Sequence, residues 1–393
     1  MFESICLGRP GQFTTAGLGL LAECLLYYRQ VHLVLDHQGF KSLVRLCGPD
    51  TLLGLVLDGH LDVIYQENRL GVATKTIANV DQHSFIAFEA PRYAAQNHVP
   101  AVLEELLGKP GKARRIGSRI LQRLTVRKYD PSRSHEWLAD IEGTTYTDQV
   151  ASALLETLAP SYRTPKAVEF RVHSESGSYV VATNIDFAAA NEIYRRANPD
   201  STLTPALILS YLYEGIANVV TGAEHASELV TEPFEALLST HKIGRIIDNA
   251  TRSTGNIERF QEFVLPTRSV GQVIASGERN FEDLRHLINK AAEFREWTHK
   301  MSDDADILRE YVAACSSLSW LDKLPNRMLK YLLFSSIGLG IGLTVAGLPG
   351  ALAGFSLNAV DSFLFDKLVS GWKPSQFIGG SLVPFVNPRR LDA

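Results

Sequence analysis

The sequence predicts an α+β protein: a mixed α/β N-terminal domain, a helical middle region and a C-terminal glycine-rich hydrophobic helical segment directed at a membrane. Three observations predict this. Helix and strand signals alternate over the first part of the chain, strand signals thin out beyond Ser201, and no charged residue stands between Tyr331 and Val360. The expected divisions are 1–198, a regulatory domain, 199–325, a helical domain, and 326–393, a membrane or oligomerisation segment. Asn198-Pro199-Asp200-Ser201 marks the first division by its turn chemistry.

The elements follow in order. Gly17 to Tyr28 has helical character, and Val31 to Leu35 is a short apolar run of strand length. Phe40 to Leu46 is apolar-rich, and Pro49-Asp50 starts a short helix ending near Gly59. Leu61 to Tyr65, Leu70 to Lys75 and Ser84 to Glu89 are predicted strands from their β-branched and aromatic content. Tyr93 to Leu107 is a predicted helix stopped by Gly108-Lys109-Pro110-Gly111, and Lys112 to Thr125 is a second one. Tyr146 to Leu158 is also helical. Ala167 to His173 and Tyr179 to Ile185 form a predicted hairpin, and Asp186 caps a helix to Arg196. Pro205 to Val220, Ala223 to Leu238, Ile243 to Asn249, Phe281 to Thr298 and Ile307 to Ser317 favour helix.

Composition bounds the function classes. A chain of 393 residues is long for one core. With 45% apolar and 21% charged residues it is neither wholly disordered, nor collagen-like, nor a polytopic membrane protein. Its 39 basic and 43 acidic residues give −4, which excludes a basic nucleic-acid coat. Cys6, Cys24, Cys47 and Cys315 form no C-x-x-C pair and are expected as reduced thiols. Glu3 stands where a signal peptide wants positive charge, and the apolar run from Pro10 ends at Glu23 without a small-residue cleavage site. The bulk of the N-terminal chain is therefore expected in the cytoplasm, with association to the inner membrane through the C-terminal segment.

That segment, 331–360, holds 18 apolar residues and six glycines. Its length suffices for one tilted crossing of a bilayer core of roughly 30 Å, or for a hairpin bent at Pro349. Gly338, Gly342, Ala346, Gly350 and Gly354 recur every four residues. On a helix such positions share a face, and small residues there let backbones approach in lipid. Lys323, Arg327 and Lys330 precede the run, and Asp361, Asp366, Lys367 and Lys373 follow it. The alternative is a glycine-rich hairpin buried inside a soluble oligomer.

A second departure from the average is basic. Lys109, Lys112, Arg114, Arg115, Arg119, Arg123, Arg127, Lys128 and Arg133 are interrupted by one acid, Asp130. Lys112, Arg115, Arg119 and Arg123 lie on one side of the predicted helix, with Ile116, Ile120, Leu121 and Leu124 on another. Such a stripe suits a run of phosphates, since guanidinium pairs bidentately with phosphate oxygens. Lys109 to Lys128 are therefore the candidate nucleic-acid-binding residues. A solvated helix face is the competing reading.

No catalytic motif stands out. Gly111-Lys112 lacks the upstream glycine and following Ser/Thr of a P-loop, and His135-Glu136 lacks the second histidine of H-E-x-x-H. His32 and His37 flank a strand end with Asp36, a conceivable metal group. No third ligand is spaced nearby, so they are read as polar residues of a strand terminus. Asp303, Asp304 and Asp306 are read as partners of a helix N-terminus. No catalytic residue, metal or cofactor is assigned, and the chain is read as a non-enzyme.

Ser319-Trp320-Leu321-Asp322-Lys323-Leu324-Pro325, Asp361 to Leu368 and Gly371-Trp372-Lys373-Pro374, with the basic helix, resemble bacterial anti-phage membrane effectors. Among these the architecture is similar to the channel effectors of Hailong defence systems. The resemblance implies a homo-oligomeric ion channel held shut by a bound short DNA oligomer, which a partner nucleotidyltransferase makes. It implies abortive infection when the channel opens against membrane lipid. The expected function is a membrane-inserting or pore-forming effector gated by a nucleic-acid or nucleotide signal. The alternatives are a soluble oligomeric nucleic-acid-binding protein and an enzyme with a non-local site.

Overall fold

The structure, a computed structural model, describes residues 3–8, 15–133, 146–175, 177–225, 228–230, 268–301, 311 and 374–387. The chain divides into two compact units, Ser4–Gln12 with Val31–Ala250, and Met1–Glu3 with Phe13–Gln30 and Thr251–Ala393. Mixed α/β content with two sheets places it in the α+β class.

The larger unit contains the strands β1 (Ser4–Gly8), β2 (Gln30–Leu35), β3 (Leu61–Gln66), β4 (Arg69–Ile77), β5 (Val80–Phe88), β6 (Thr125–Arg127), β7 (Phe170–Glu175), β8 (Ser178–Thr183) and β9 (Glu228–Val230). The first sheet has the order β6-β3-β2-β1-β9, and its β1–β9, β2–β3 and β3–β6 ladders are parallel. Every residue of β2 after Gln30 is buried, as expected for a parallel strand covered on both faces. Helix α1 (Thr15–Tyr27) belongs to the smaller unit. Between β2 and β3 lie α2 (His37–Cys47) and α3 (Pro49–Leu57). Asp36 starts α2, its Oδ1 accepting from the Gly39 N–H at 2.8 Å. Helices α4 (Ala95–Leu107) and α5 (Pro110–Leu121) return the chain to β6.

The second sheet has the order β4-β5-β8-β7, with its β4–β5, β5–β8 and β7–β8 ladders antiparallel. The β4–β5 turn is the pair Ala78-Asn79, both at positive φ (50° and 66°), as a two-residue hairpin turn requires. This sheet packs its core against α6 (Tyr146–Leu158), α7 (Phe187–Ala197) and α8 (Pro205–Glu224), through Phe85, Leu154, Phe170, Val172, Tyr194, Leu209 and Tyr213. Asn68 ties the start of β4 to the chain leaving β6: its Nδ2 donates to the Tyr129 carbonyl (2.9 Å) and its Oδ1 accepts from the Tyr129 N–H (2.7 Å).

In the smaller unit, α1 packs on α9 (Val270–Ala275), followed by α10 (Phe281–Lys290) and α11 (Ala292–His299). A Cβ on Gly19 would lie 2.8 Å from the Gly271 carbonyl oxygen, so glycine at both positions permits the contact. Glu23 Oε1 accepts from the Gly271 N–H (3.0 Å) and from the Ser269 hydroxyl (2.6 Å), capping α9 from 248 residues away. Arg295, largely buried, donates to the carbonyls of Tyr28 and Arg29 just past α1. Short helices α12 (Pro374–Phe377) and α13 (Val383–Val386), joined by the π-turn Ile378–Leu382, complete it; Phe377 stacks on Phe294 at 5.0 Å.

Several local expectations change. The helix read over Lys112–Thr125 spans Pro110–Leu121, and Thr125–Arg127 becomes β6 because it pairs with Ile64–Gln66. The helix read over Phe281–Thr298 is two, separated at Ala291. Asn198-Ser201 is a turn inside the larger unit, closed by Ser201 N–H to Asn198 carbonyl at 3.1 Å. Of the helix expected over Ala223–Leu238, Ala223 and Glu224 end α8 and Glu228–Val230 form β9, while 231–238 lie outside the described residues. Among the described residues no helix is long and apolar enough to cross a membrane. The run 331–360, with Gly338, Gly342, Ala346, Gly350 and Gly354, lies outside the described residues.

Candidate functional site

The basic helix is built from strong local signals. Gly108, left-handed at φ 58°, closes α4, and Pro110 opens α5 at a position where its missing N–H costs nothing. Ala113, Ile116, Gly117 and Ile120 are buried. Gly117 lies under α4, where an added Cβ would meet Leu103 Cδ1 at 3.3 Å. With that face packed, Arg114, Arg115 and Arg119 stand exposed on the helix. Arg123 stands exposed just past its end, and Lys109 just before its start. The side chains of these five make no ion pair or hydrogen bond among the described residues.

The other three sequence-predicted cations are engaged within the fold. Lys112 Nζ lies 2.6 Å from Asp50. Arg127 Nη1 donates to the Ala217 carbonyl at 3.2 Å. Lys128 pairs with Glu89 at 3.1 Å and Glu67 at 3.7 Å, which raises its pKa, first through the Glu89 hydrogen bond. The structure thus narrows the unpaired set to Lys109, Arg114, Arg115, Arg119 and Arg123.

A second cluster lies past the carboxyl ends of β2 and β3, where open parallel sheets commonly hold ligands. The His37 ring stacks on Tyr93 with centroids 3.7 Å apart. Tyr65 donates its hydroxyl proton to the Tyr93 carbonyl (2.8 Å) and so accepts from His98 Nδ1–H (3.0 Å), which leaves Nε2 of His98 as an acceptor. Burial, then the charges of His37 and Lys41, lower the His98 pKa to about 4. Burial also lowers that of His37, against the pull of Asp36. Both imidazoles are therefore neutral at neutral pH. Arg69 approaches Asp36 Oδ2 at 3.5 Å. His37, Tyr65, Tyr93 and His98 form a set of neutral donors and acceptors beside the charged Asp36 and Arg69, held in place by stacking and hydrogen bonds and able to orient a polar group.

The chain matches no protein-family model, and no curated protein and no solved structure is similar to it.

The histidines grouped by sequence are separated. His32 sits near the start of β2 and Asp36-His37 past its end, so they do not share a site. Tyr65, Tyr93 and His98, which complete the cluster around His37, carry no local motif; a strand, a 3-10 turn (Pro91–Tyr93) and a helix bring them together.

Proposed function

We propose that this protein is an effector of bacterial anti-phage defence in which the α/β unit holds a short nucleic acid or similar polyanion on α5 and the C-terminal apolar run acts on the inner membrane. The observation that carries the reading is the set of exposed arginines at 114, 115, 119 and 123, whose side chains are unpaired among the described residues, in a chain of net charge −4. Guanidinium groups with no partner among the described residues keep their donors for phosphate oxygens. The uncharged run 331–360 supports the membrane half from sequence. Channel formation requires several copies, because one short hairpin does not enclose a water-filled path.

The test is a titration of the full-length protein with a short oligodeoxynucleotide at low and high salt, beside a growth assay on induction. Binding should weaken steeply with salt as phosphate counterions are released. Arg115→Glu, Arg119→Glu and Arg123→Glu together should abolish it. If the bound polyanion holds the effector shut, the triple variant should be more toxic than the wild type, because a ligand stabilises the state it binds better. Equal binding by both proteins refutes the polyanion site. Recovery of the full chain entirely in the soluble fraction, with no effect on growth, refutes the membrane action.

A further inference from the structure

His32, Asp62 and His225 converge in the larger unit from three separate elements. His32 and Asp62 are directly paired residues of the β2–β3 ladder, so their side chains share a face of the sheet. His32 Nδ1 lies 3.0 Å from Asp62 Oδ2. His225, one residue past the end of α8, stacks its ring on that of His32 with centroids 4.3 Å apart and planes inclined by 29°. One donor atom from each residue lies within 4.8 Å of the other two.

We propose that these three residues form a binding site for a divalent transition cation of the zinc class. Two imidazoles and one carboxylate are a donor set that suits zinc and its neighbours, whereas magnesium and calcium want oxygen shells. A cation at about 2.0–2.2 Å from each of four tetrahedral ligands sets adjacent donor atoms about 3.3–3.6 Å apart. The His32–Asp62 pair, at 3.0 Å, lies within a few tenths of an ångström of that spacing and would exchange its hydrogen bond for the cation. His32 is 5% exposed and fixed by its strand, while His225 is half-buried and follows the last turn of α8. Closing the site therefore asks for movement of His225 and not of the sheet. Asp62 is held from behind by the Thr125 hydroxyl, which approaches its other oxygen at 3.5 Å. Three protein ligands leave a fourth position for water or a ligand atom. The cation would join β2, β3 and the α8–β9 connection at one point.

The experiment uses the full-length chain, stripped with chelator and dialysed, and titrated calorimetrically with zinc chloride and separately with magnesium chloride. The expected result is one tight zinc equivalent per chain, with no comparable magnesium binding. Loss of an outer-shell partner typically weakens metal sites 10–100-fold, so removal of a ligand should cost at least about tenfold. His225→Ala is the primary variant because the residue is half-exposed, and circular dichroism checks that it folds; Asp62→Asn should show the same loss. Zinc affinity unchanged in His225→Ala, or no zinc binding by the wild type, overturns the proposal and leaves His32–Asp62 as a hydrogen-bonded pair beneath a stacked ring.

Discussion

The hydroxyl of Tyr65 lies between two partners, 3.0 Å from His98 Nδ1 and 2.8 Å from the Tyr93 carbonyl. Removing it as Tyr65→Phe leaves the buried His98 Nδ1–H and the half-buried Tyr93 carbonyl without this partner. The expected cost is about 1–3 kcal/mol, read from urea unfolding. A cost below about 0.5 kcal/mol would show that this hydrogen-bonded pair contributes little.

His98 gives the fold a pH dependence with a definite sign. Its pKa in the folded chain is about 4 against an ordinary 6.5. Below about 6.5 the unfolded chain takes up a proton that the folded chain refuses. This contribution to stability is complete above that pH and declines as pH falls towards 4. An NMR titration should find the His98 imidazole neutral down to about pH 5, and His98→Gln should flatten the acid side of the stability profile. A midpoint near 6.5 for His98 would contradict the burial described.

The turn residue Ala78 adopts φ 50°, a conformation that costs a residue with a Cβ roughly 1–2 kcal/mol. Asparagine tolerates it and is preferred in such turns. Ala78→Asn should therefore raise stability by about 0.5–1 kcal/mol, seen as a higher midpoint in thermal or urea unfolding. No gain would mean that the turn relaxes to another geometry in solution.

The two faces of α5 should respond in opposite ways. Alanine at Arg114, Arg115 or Arg119 should change stability by no more than about 0.5 kcal/mol, because none of these side chains is paired among the described residues. Gly117→Leu places a branched side chain where even a Cβ would sit 3.3 Å from Leu103 and 3.7 Å from Pro100. Overpacking of that kind typically costs about 1–3 kcal/mol. Thermal melts of the four variants separate the two behaviours.

Asn68 is 3% exposed and closes a reciprocal pair of hydrogen bonds with the Tyr129 backbone. Asn68→Asp keeps the acceptor and loses the donor, so the Tyr129 carbonyl loses its Asn68 partner and a charge is buried. It should be more destabilising than Asn68→Ala at neutral pH, as differential unfolding measures.

Legibility in the sequence followed how local the cause was. β2 was visible because burial on both faces leaves an apolar run, Val31 and Leu33–Leu35, broken only by His32. The end of α4 was visible because Gly108 stops it within one turn, whereas α5 starts two residues before the expected Lys112, with Pro110 as its first residue. The end of α5 was not, because Thr125–Arg127 leaves the helical pattern through pairing with β3, a tertiary interaction. The short β1, with three apolar residues between Ser4 and Gly8, gave too little pattern to find. The exposed arginines were legible as a stripe, but the internal partners of Lys112, Arg127 and Lys128 were not, since Asp50, Ala217 and Glu89 arrive from other elements. His32 was noticed beside Asp36, its neighbour in sequence. Its partner in space is Asp62, 30 residues on, and no spacing rule points there.

The contact of Glu23 with Gly271 sets an order on biosynthesis. Helix α1 leaves the ribosome early, but the segment it packs on is made 248 residues later. At about 5–20 residues per second the interval is roughly 10–50 s. Throughout it the apolar face of α1, with Leu21, Leu25 and Leu26 at its centre, lacks its native cover. The described strands of the larger unit, β1 to β9, are all translated before that cover is made. A nascent chain in which the larger unit has emerged, and the segment from Val270 has not, would thus present an unshielded hydrophobic helix, a natural substrate for a chaperone that binds at the exit tunnel.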